Sequence, residues 1–259
     1  MTSWSSVFVW LNDPVNWRGD SGIGHQVLAH LGYTGLALLV GLLIGVPAGL
    51  AIGHSGRANW IVAVANGLRA LPTTGLLILF YVVVVAHVSG ELAFLLPTEI
   101  VLVLLAIPPI LANTFAGIQN VDPAVQDAAR GMGMTSWQVL FRVELPNALP
   151  LVFSGLRGAT LQVIATATIA AYVGLGGLGR FVYDGLAQKD FPQMIGGAVV
   201  VAVLALVADI VLALVQRYAV SRGVSGRFRR GRRATPATLA AEPDSRTASV
   251  DELEAATTA

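Results

Sequence analysis

The chain has 259 residues, 55% of them hydrophobic and 12% charged, with a mean hydropathy of +0.71 and a formal net charge of +1. Several uncharged apolar runs approach the length of a membrane span, which excludes a soluble single-core domain and makes the bilayer the solvent of the fold. There is no cysteine, which rules out a disulfide framework or a thiolate metal site, and His25, His30, His54 and His87 show no HExxH spacing.

The opening 30 residues are mixed in polarity. Asp13, Pro14, Arg18 and Asp20 stand where a cleaved leader would need an unbroken apolar core, so no leader is expected. Leu31 to Ile52 is free of charge and long enough to cross about 30 Å of hydrocarbon at about 1.5 Å per residue. After a polar turn from His54 to Arg57, apolar sequence runs from Ala58 to Ala86, interrupted by Arg69 and Pro72. It reads as one broken span, or as a short helix followed by a separate span. Ile100 to Val121 forms the third span, with a kink expected at Pro108 and Pro109 because proline removes a backbone donor. The fourth runs from Ala148 to Val173 and carries Arg157; the fifth runs from Met194 to Val215 and carries Asp209 toward its far end. "GLGGLG" at Gly174 to Gly179 fits GxGxxG in form, but it follows a membrane span instead of a strand. It is read as a tight turn, where glycine permits positive φ. Beyond Arg217 the chain is basic, then small, polar and acidic, with too few large apolar residues for a core.

These elements define an all-α integral membrane protein of about five transmembrane helices. The arginines orient it. With the N-terminus outside and the C-terminus in the cytoplasm, the inner loops and tail hold Arg57, Arg130, Arg142, Arg157, Arg217, Arg222, Arg227, Arg229, Arg230, Arg232 and Arg233. Arg18, Arg180 and Lys189 are left outside. The expected organisation is an extracytoplasmic segment (1–25), a transmembrane domain (26–217) and a disordered cytoplasmic tail (218–259).

Between the third and fourth spans lies the polar stretch DAARGMGMTSWQVLFRVELP, Asp127 to Pro146. Asp122 followed by Pro123 is an N-cap with proline at the first helical position, and Val125, Ala128, Ala129 and Met132 share one helical face. Gly131 and Gly133 are expected to end that helix. Thr135 and Gln138 have capping-box spacing for a second helix, whose Trp137, Leu140 and Phe141 share a face and which Pro146 is expected to stop. By spacing alone the result, over about 122–146, is either a helix pair lying on the membrane surface or a docking element for a partner.

The spacing resembles the cytoplasmic motif of ABC importer membrane subunits: EAA, three residues, Gly, nine residues, Ile, one residue, Leu-Pro. Here Asp127, Ala128 and Ala129 are followed in that register by Gly133, Val143, Leu145 and Pro146, with Asp in place of Glu and Val in place of Ile. The resemblance implies a type-1 ABC importer permease fold in which this segment is the coupling helix pair, seated in a groove of an ATP-hydrolysing subunit. Asp127 then contacts that partner, or serves as a charge favoured by the helix dipole. Further stretches, 69–81, 145–186 and 196–214, resemble the permeases of osmoprotectant importers for glycine betaine, carnitine, choline or proline betaine. Methionine, sulfonate and nitrate permeases share much of the same core and remain the alternative.

The chain has one lysine, Lys189, outside any GxxxxGK[ST] pattern, so it carries no phosphate loop of its own. It is expected to be a transport subunit and not an enzyme, binding no cofactor while its partner uses ATP and Mg. An ATP-independent carrier or membrane enzyme fits less well, because there is neither an internal repeat nor a polar catalytic cluster. Implied partners are two ATP-binding subunits, a second permease subunit, identical or not, and an extracytoplasmic binding protein, all at the bacterial cytoplasmic membrane; no nucleic acid is expected. The binding protein is expected to hold any aromatic cage for a quaternary ammonium, since this chain is only 7% aromatic. Candidate translocation-path residues are Thr73, Thr74, Asn113, Gln162, Thr166 and Thr168, polar groups that favour a bundle interior; the bland alternative for each is a helix–helix contact or a backbone-bonded hydroxyl. Asp209 is expected to pair with Arg69 or Arg157, and the arginine-rich tail either binds anionic lipid or enforces topology.

Overall fold

The computed structural model describes residues 4–220. The expected tail lies outside the described residues, apart from its first three positions. Among the described residues there is no strand. The helices are α1 (Trp4–Asn12), α2 (Ile23–Ser55), α3 (Trp60–Leu68), α4 (Thr73–Val85), α5 (Leu92–Gln119), α6 (Pro123–Gly131), α7 (Ser136–Val139), α8 (Leu145–Ala167), α9 (Gly179–Gln188) and α10 (Phe191–Ala219). A π-turn (Leu140–Glu144) joins α7 to α8, and a 3₁₀ segment (Thr168–Val173) prolongs α8.

The bundle is organised around α5, which packs on both α2 and α8. Its approach to α2 follows from a stripe of glycines at every fourth position, Gly41, Gly45, Gly49 and Gly53, all on one helical face. A Cβ at Gly41 would come within 2.8 Å of Ala106 Cβ, at Gly49 within 2.7 Å of Thr114 Cβ, and at Gly53 within 2.8 Å of Ile118 Cβ. In lipid, apolar helices gain little by leaving their solvent, so packing of this kind holds them together. The same device recurs between α5 and α8. A Cβ at Gly117 would meet Ala148 Cβ at 2.8 Å, and one at Gly155 would meet the Pro109 carbonyl oxygen at 2.7 Å. Ala37, Leu102, Ala106, Ile110, Ala159, Val163 and Ala167 form the resulting three-helix core.

Four helical stretches are long and apolar enough to cross a membrane, and a fifth if the bent pair α3 and α4 counts as one. That pair turns by 86° at its break. Neither piece alone reaches across about 30 Å of hydrocarbon, being 9 and 13 residues long at about 1.5 Å per residue. Together they follow α5: Val62 of α3 packs with Leu111, Leu77 of α4 packs with Val101 and Leu105, and Tyr81 meets Phe94 at 5.7 Å. From Leu111 to Phe94 is roughly 25 Å along a helix. A path of this kind belongs to one broken span or to a re-entrant loop.

Several boundaries differ from the sequence reading. The first span begins at Ile23, ahead of both Leu31 and the proposed domain start at 26, and the third begins at Leu92. That third helix runs without interruption through Pro97, Pro108 and Pro109, all buried against neighbours that hold the backbone in place. Pro146 does not stop the second cytoplasmic helix. The π-turn just ahead of it shifts the ladder, with the Leu145 amide bonding the Leu140 carbonyl, and this wider ring leaves the proline inside a continuous helical path. Two helices had no counterpart in the sequence reading. α1 rests Trp10 on α10, where a Cβ at Gly196 would fall 2.4 Å from the indole, and α9 packs Phe181 edge-on to Trp10 at 5.4 Å. The glycine turn before α9 does place Gly174 and Gly177 at positive φ, and the Gly177 amide donates to Gln26 of α2.

Candidate functional site

The segment between α5 and α8 is built from local signals. Asp122 caps α6 by accepting from the Ala124 amide at 2.9 Å, with Pro123 at the first helical position. Gly131 is the last helical residue, and the turn that follows is a Schellman motif. The Gly133 amide donates to the Arg130 carbonyl at 2.9 Å, the Met134 amide donates to the Ala129 carbonyl at 3.2 Å, and Gly133 sits at φ +82°. Nothing stands within 4 Å of a Cβ built there, so backbone conformation, not space, calls for glycine. Thr135 then opens α7 with a reciprocal capping box. Its hydroxyl accepts from the Gln138 amide at 3.4 Å, and its own amide donates to Gln138 Oε1 at 2.8 Å.

This helix pair keeps little of its apolar surface for the chain itself. On α6 only Ala129 is buried, while Asp127 and Ala128 are exposed. Met132 is 76% exposed and Trp137 70% exposed, with the Trp137 and Phe141 rings stacked at 5.7 Å. The apolar face read from Val125, Ala128, Ala129 and Met132 therefore points mainly away from the bundle. These large apolar side chains form an exposed apolar group on a polar loop. Asp127 has Arg130 at 3.5 Å along its own helix, an exposed pair of the kind that contributes little. Val143, in the π-turn, and Leu145 and Pro146, at the start of α8, are half-buried where the segment meets the bundle.

The polar positions within the spans fall into separate groups. Thr73 and Thr166, with Thr98, line one hollow of about 10 Å³, enough for about one water molecule. Gln162 lies one turn before Thr166 on α8 and accepts a hydrogen bond from Arg69 at 3.1 Å, so Arg69 bridges the break between α3 and α4 to α8. Thr74 is exposed beside that break. Asn113 and Thr168 bond their own helices, Asn113 to the Pro109 carbonyl at 2.8 Å and Thr168 to the Ala165 carbonyl at 2.7 Å. Asn113 also lies in the close α5–α8 contact at Gly155, away from the others. Of the two arginines considered for Asp209, the structure pairs it with Arg157. The guanidinium donates through Nε and Nη2 to the two carboxylate oxygens, each at 2.8 Å, joining α8 to α10 in a forked geometry.

One cluster was missed by the sequence reading. His54, in the last turn of α2, stands 2.6 Å from Glu144 Oε2 and 2.7 Å from Ser136 Oγ. Its partners lie more than 80 positions away in the chain, and no spacing rule links them. Among the described residues, no group of three or more His, Asp or Glu has the arrangement of a metal site.

Comparison with known proteins agrees with this architecture. Residues 41–222 match the family of binding-protein-dependent transport system inner membrane components. The chain is 37% identical over 194 residues to the carnitine transport permease protein OpuCB of Listeria monocytogenes, covering 73% of this chain and 86% of that one. It is 32% identical over 198 residues to the glycine betaine/carnitine/choline permease protein OpuCB of Bacillus subtilis (76% and 88% covered). It is 34% identical over 198 residues to the osmoprotectant import permease protein OsmW of Salmonella typhimurium (75% and 90%). Among solved structures, the inward-facing MetNI methionine ABC transporter superposes with a TM-score of 0.64 at 20% identity, over 85% of this chain and all of that one, which speaks to fold. The helical order, the outward-turned helix pair after α5 and the match across 41–222 converge: this chain belongs to the binding-protein-dependent transport system inner membrane components, the permease subunits of ABC transporters.

Proposed function

We propose that the chain is the permease subunit of an ATP-driven importer of osmoprotectants, small zwitterions or quaternary ammonium compounds such as glycine betaine, carnitine, choline or proline betaine. The substrate class rests on the relatives, several of which are named for those solutes over more than 80% of their length. The observation that carries the mechanism is the exposed helix pair, whose Gly133 turn fixes the angle between two helices and whose Ala128, Met132 and Trp137 face outward. Asp127, Ala128, Ala129, Gly133, Val143, Leu145 and Pro146 then form the contact to the ATP-binding subunit, which supplies ATP and Mg. Two such subunits, a second permease subunit and an extracytoplasmic binding protein complete the machine in a bacterial cytoplasmic membrane.

The N-terminus lies outside and the C-terminus inside in this reading. The path of α3 and α4 along α5 supports a fifth crossing, and Arg57, Arg130, Arg142 and Arg217 then share the cytoplasmic side. Thr73, Thr166 and Gln162 mark the translocation path beside the break at Arg69. Their hollow holds about one water molecule, so passage of a solute needs α4 and α8 to part.

The test is ATP-dependent uptake of labelled glycine betaine and carnitine by the complete transporter in proteoliposomes, with the native chain or with Gly133→Val. A β-branched residue cannot hold φ +82° without strain. Uptake with the native chain and at least a tenfold fall in the variant, at equal assembly, is expected, since strain of about 1–2 kcal/mol or more works against the seated form. Absence of uptake with the native assembly refutes the substrate class, and undiminished uptake with Gly133→Val refutes the coupling role.

A further inference from the structure

The π-turn and His54 occur at the same place, and together they define a joint. Glu144 closes the π-turn and is only 1% exposed. A carboxylate so deeply buried is stable only with a donor beside it. His54 Nδ1, at 2.6 Å, is that donor, and Nε2 of the same ring stands 2.7 Å from the Ser136 hydroxyl. One imidazole on α2 thus holds both the first residue of α7 and the last residue of the π-turn. α7 is continuous with α8, so displacement of the coupling segment reaches α8 through the backbone. No backbone link joins it to α2. Gln119 of α5 adds a bond to the Gly53 carbonyl at 2.9 Å, next to His54, so whatever moves this end of α2 also moves α5. π-turns inside helices often sit at functional positions, because the widened ring redirects one side chain.

We propose that His54 is a positioning residue that locks the C-terminal end of α2 to the coupling segment through Glu144 and Ser136, so that α2, α5 and α8 follow that segment as one body. This rests on the reading of residues 122–146 as the contact to the ATP-binding subunit. Without the lock, ATP hydrolysis still displaces α6, α7 and α8, but α2 lags and transport per ATP falls.

The experiment measures labelled glycine betaine uptake and ATP hydrolysis together in proteoliposomes containing the complete transporter. His54→Ala should lower uptake per ATP on the order of tenfold, the change expected for losing a hydrogen bond to a charged group. His54→Asn, whose amide can take the place of Nδ1 toward Glu144, should recover most of it; His54→Gln, which reaches toward Ser136 instead, should not. Ser136→Ala, an exposed change that leaves Glu144 satisfied, should lower the ratio by about twofold and keeps the proposal testable if His54→Ala fails to assemble. An unchanged ratio in both alanine variants overturns the proposal. So does a parallel loss of ATPase and uptake that Asn does not relieve, since that is the mark of a merely structural residue. Gly133→Val in the same assay reports on the coupling reading itself, so the two ideas fail separately.

Discussion

Gly49 sets how near α2 comes to α5, and Gly49→Ala measures what that proximity contributes. The added Cβ would lie 2.7 Å from Thr114 Cβ and 2.8 Å from the Leu111 carbonyl oxygen. Carbon atoms rest at about 3.5–4.0 Å, so the helices must part by about 1 Å, and a gap of that size forfeits a quarter to a half of the dispersion well at each neighbouring contact. Overpacking of this kind typically destabilises by about 1–3 kcal/mol. Alanine also raises helix propensity by about 1 kcal/mol over glycine, which would mask part of the loss. Gly35, exposed on the same helix with nothing within 4 Å of a built Cβ, gains the propensity without the clash. The difference between Gly35→Ala and Gly49→Ala therefore isolates the packing term at about 1–3 kcal/mol. The assay is unfolding of the purified chain by SDS in mixed micelles, followed through its five tryptophans. Equal stability of the two variants, or a more stable Gly49→Ala, would refute the claim that the glycine stripe holds the bundle together.

Two other outcomes follow from the intramembrane polar groups. Asp209→Ala or Arg157→Ala leaves one member of the forked pair alone between α8 and α10, and each should reduce the amount of chain in the membrane, as read by immunoblot; the swap Arg157→Asp with Asp209→Arg should restore part of it, and no restoration would mean the pair is not what joins the helices. Thr166→Val beside the hollow shared with Thr73 should alter the KM for betaine uptake severalfold, whereas Thr168→Val, whose hydroxyl already bonds its own helix, should leave it within about twofold. Equal effects would remove the hollow from the translocation path.

The parts of this molecule that could be read from the sequence are those whose physics is complete within a few residues. The caps at Asp122 and Thr135 and the left-handed turn at Gly133 each close within five positions, so residue type and spacing suffice to place them. Span lengths follow from the bilayer, and their ends do not: α2 and α5 each begin eight residues before the apolar run that announced them, the helix continuing through polar residues such as His30 and Glu99 that bounded those runs. The passage of helix through Pro146 was not legible, since it depends on a π-turn packed against α2. Pairing of Asp209 with Arg157, and of Arg69 with Gln162, needed the relative placement of α3, α8 and α10. The short helices α1 and α9 owe their seats to Gly196 and Gly197 on α10, two residues whose small size announces closeness but not to what.

That last contact orders events during synthesis. Trp10 is synthesised before α10, and its seat there is opened by Gly196, more than 180 positions later. At about 5–20 residues per second the indole waits on the order of 10–40 s for its partner. Through that interval α1 has the local bonds from Asn16 and Trp17 to the Trp10 and Leu11 carbonyls but lacks its seat on α10. Docking of α1 thus waits for α10, and a chain halted before that span would present Trp10 to whatever surveys unfinished membrane proteins.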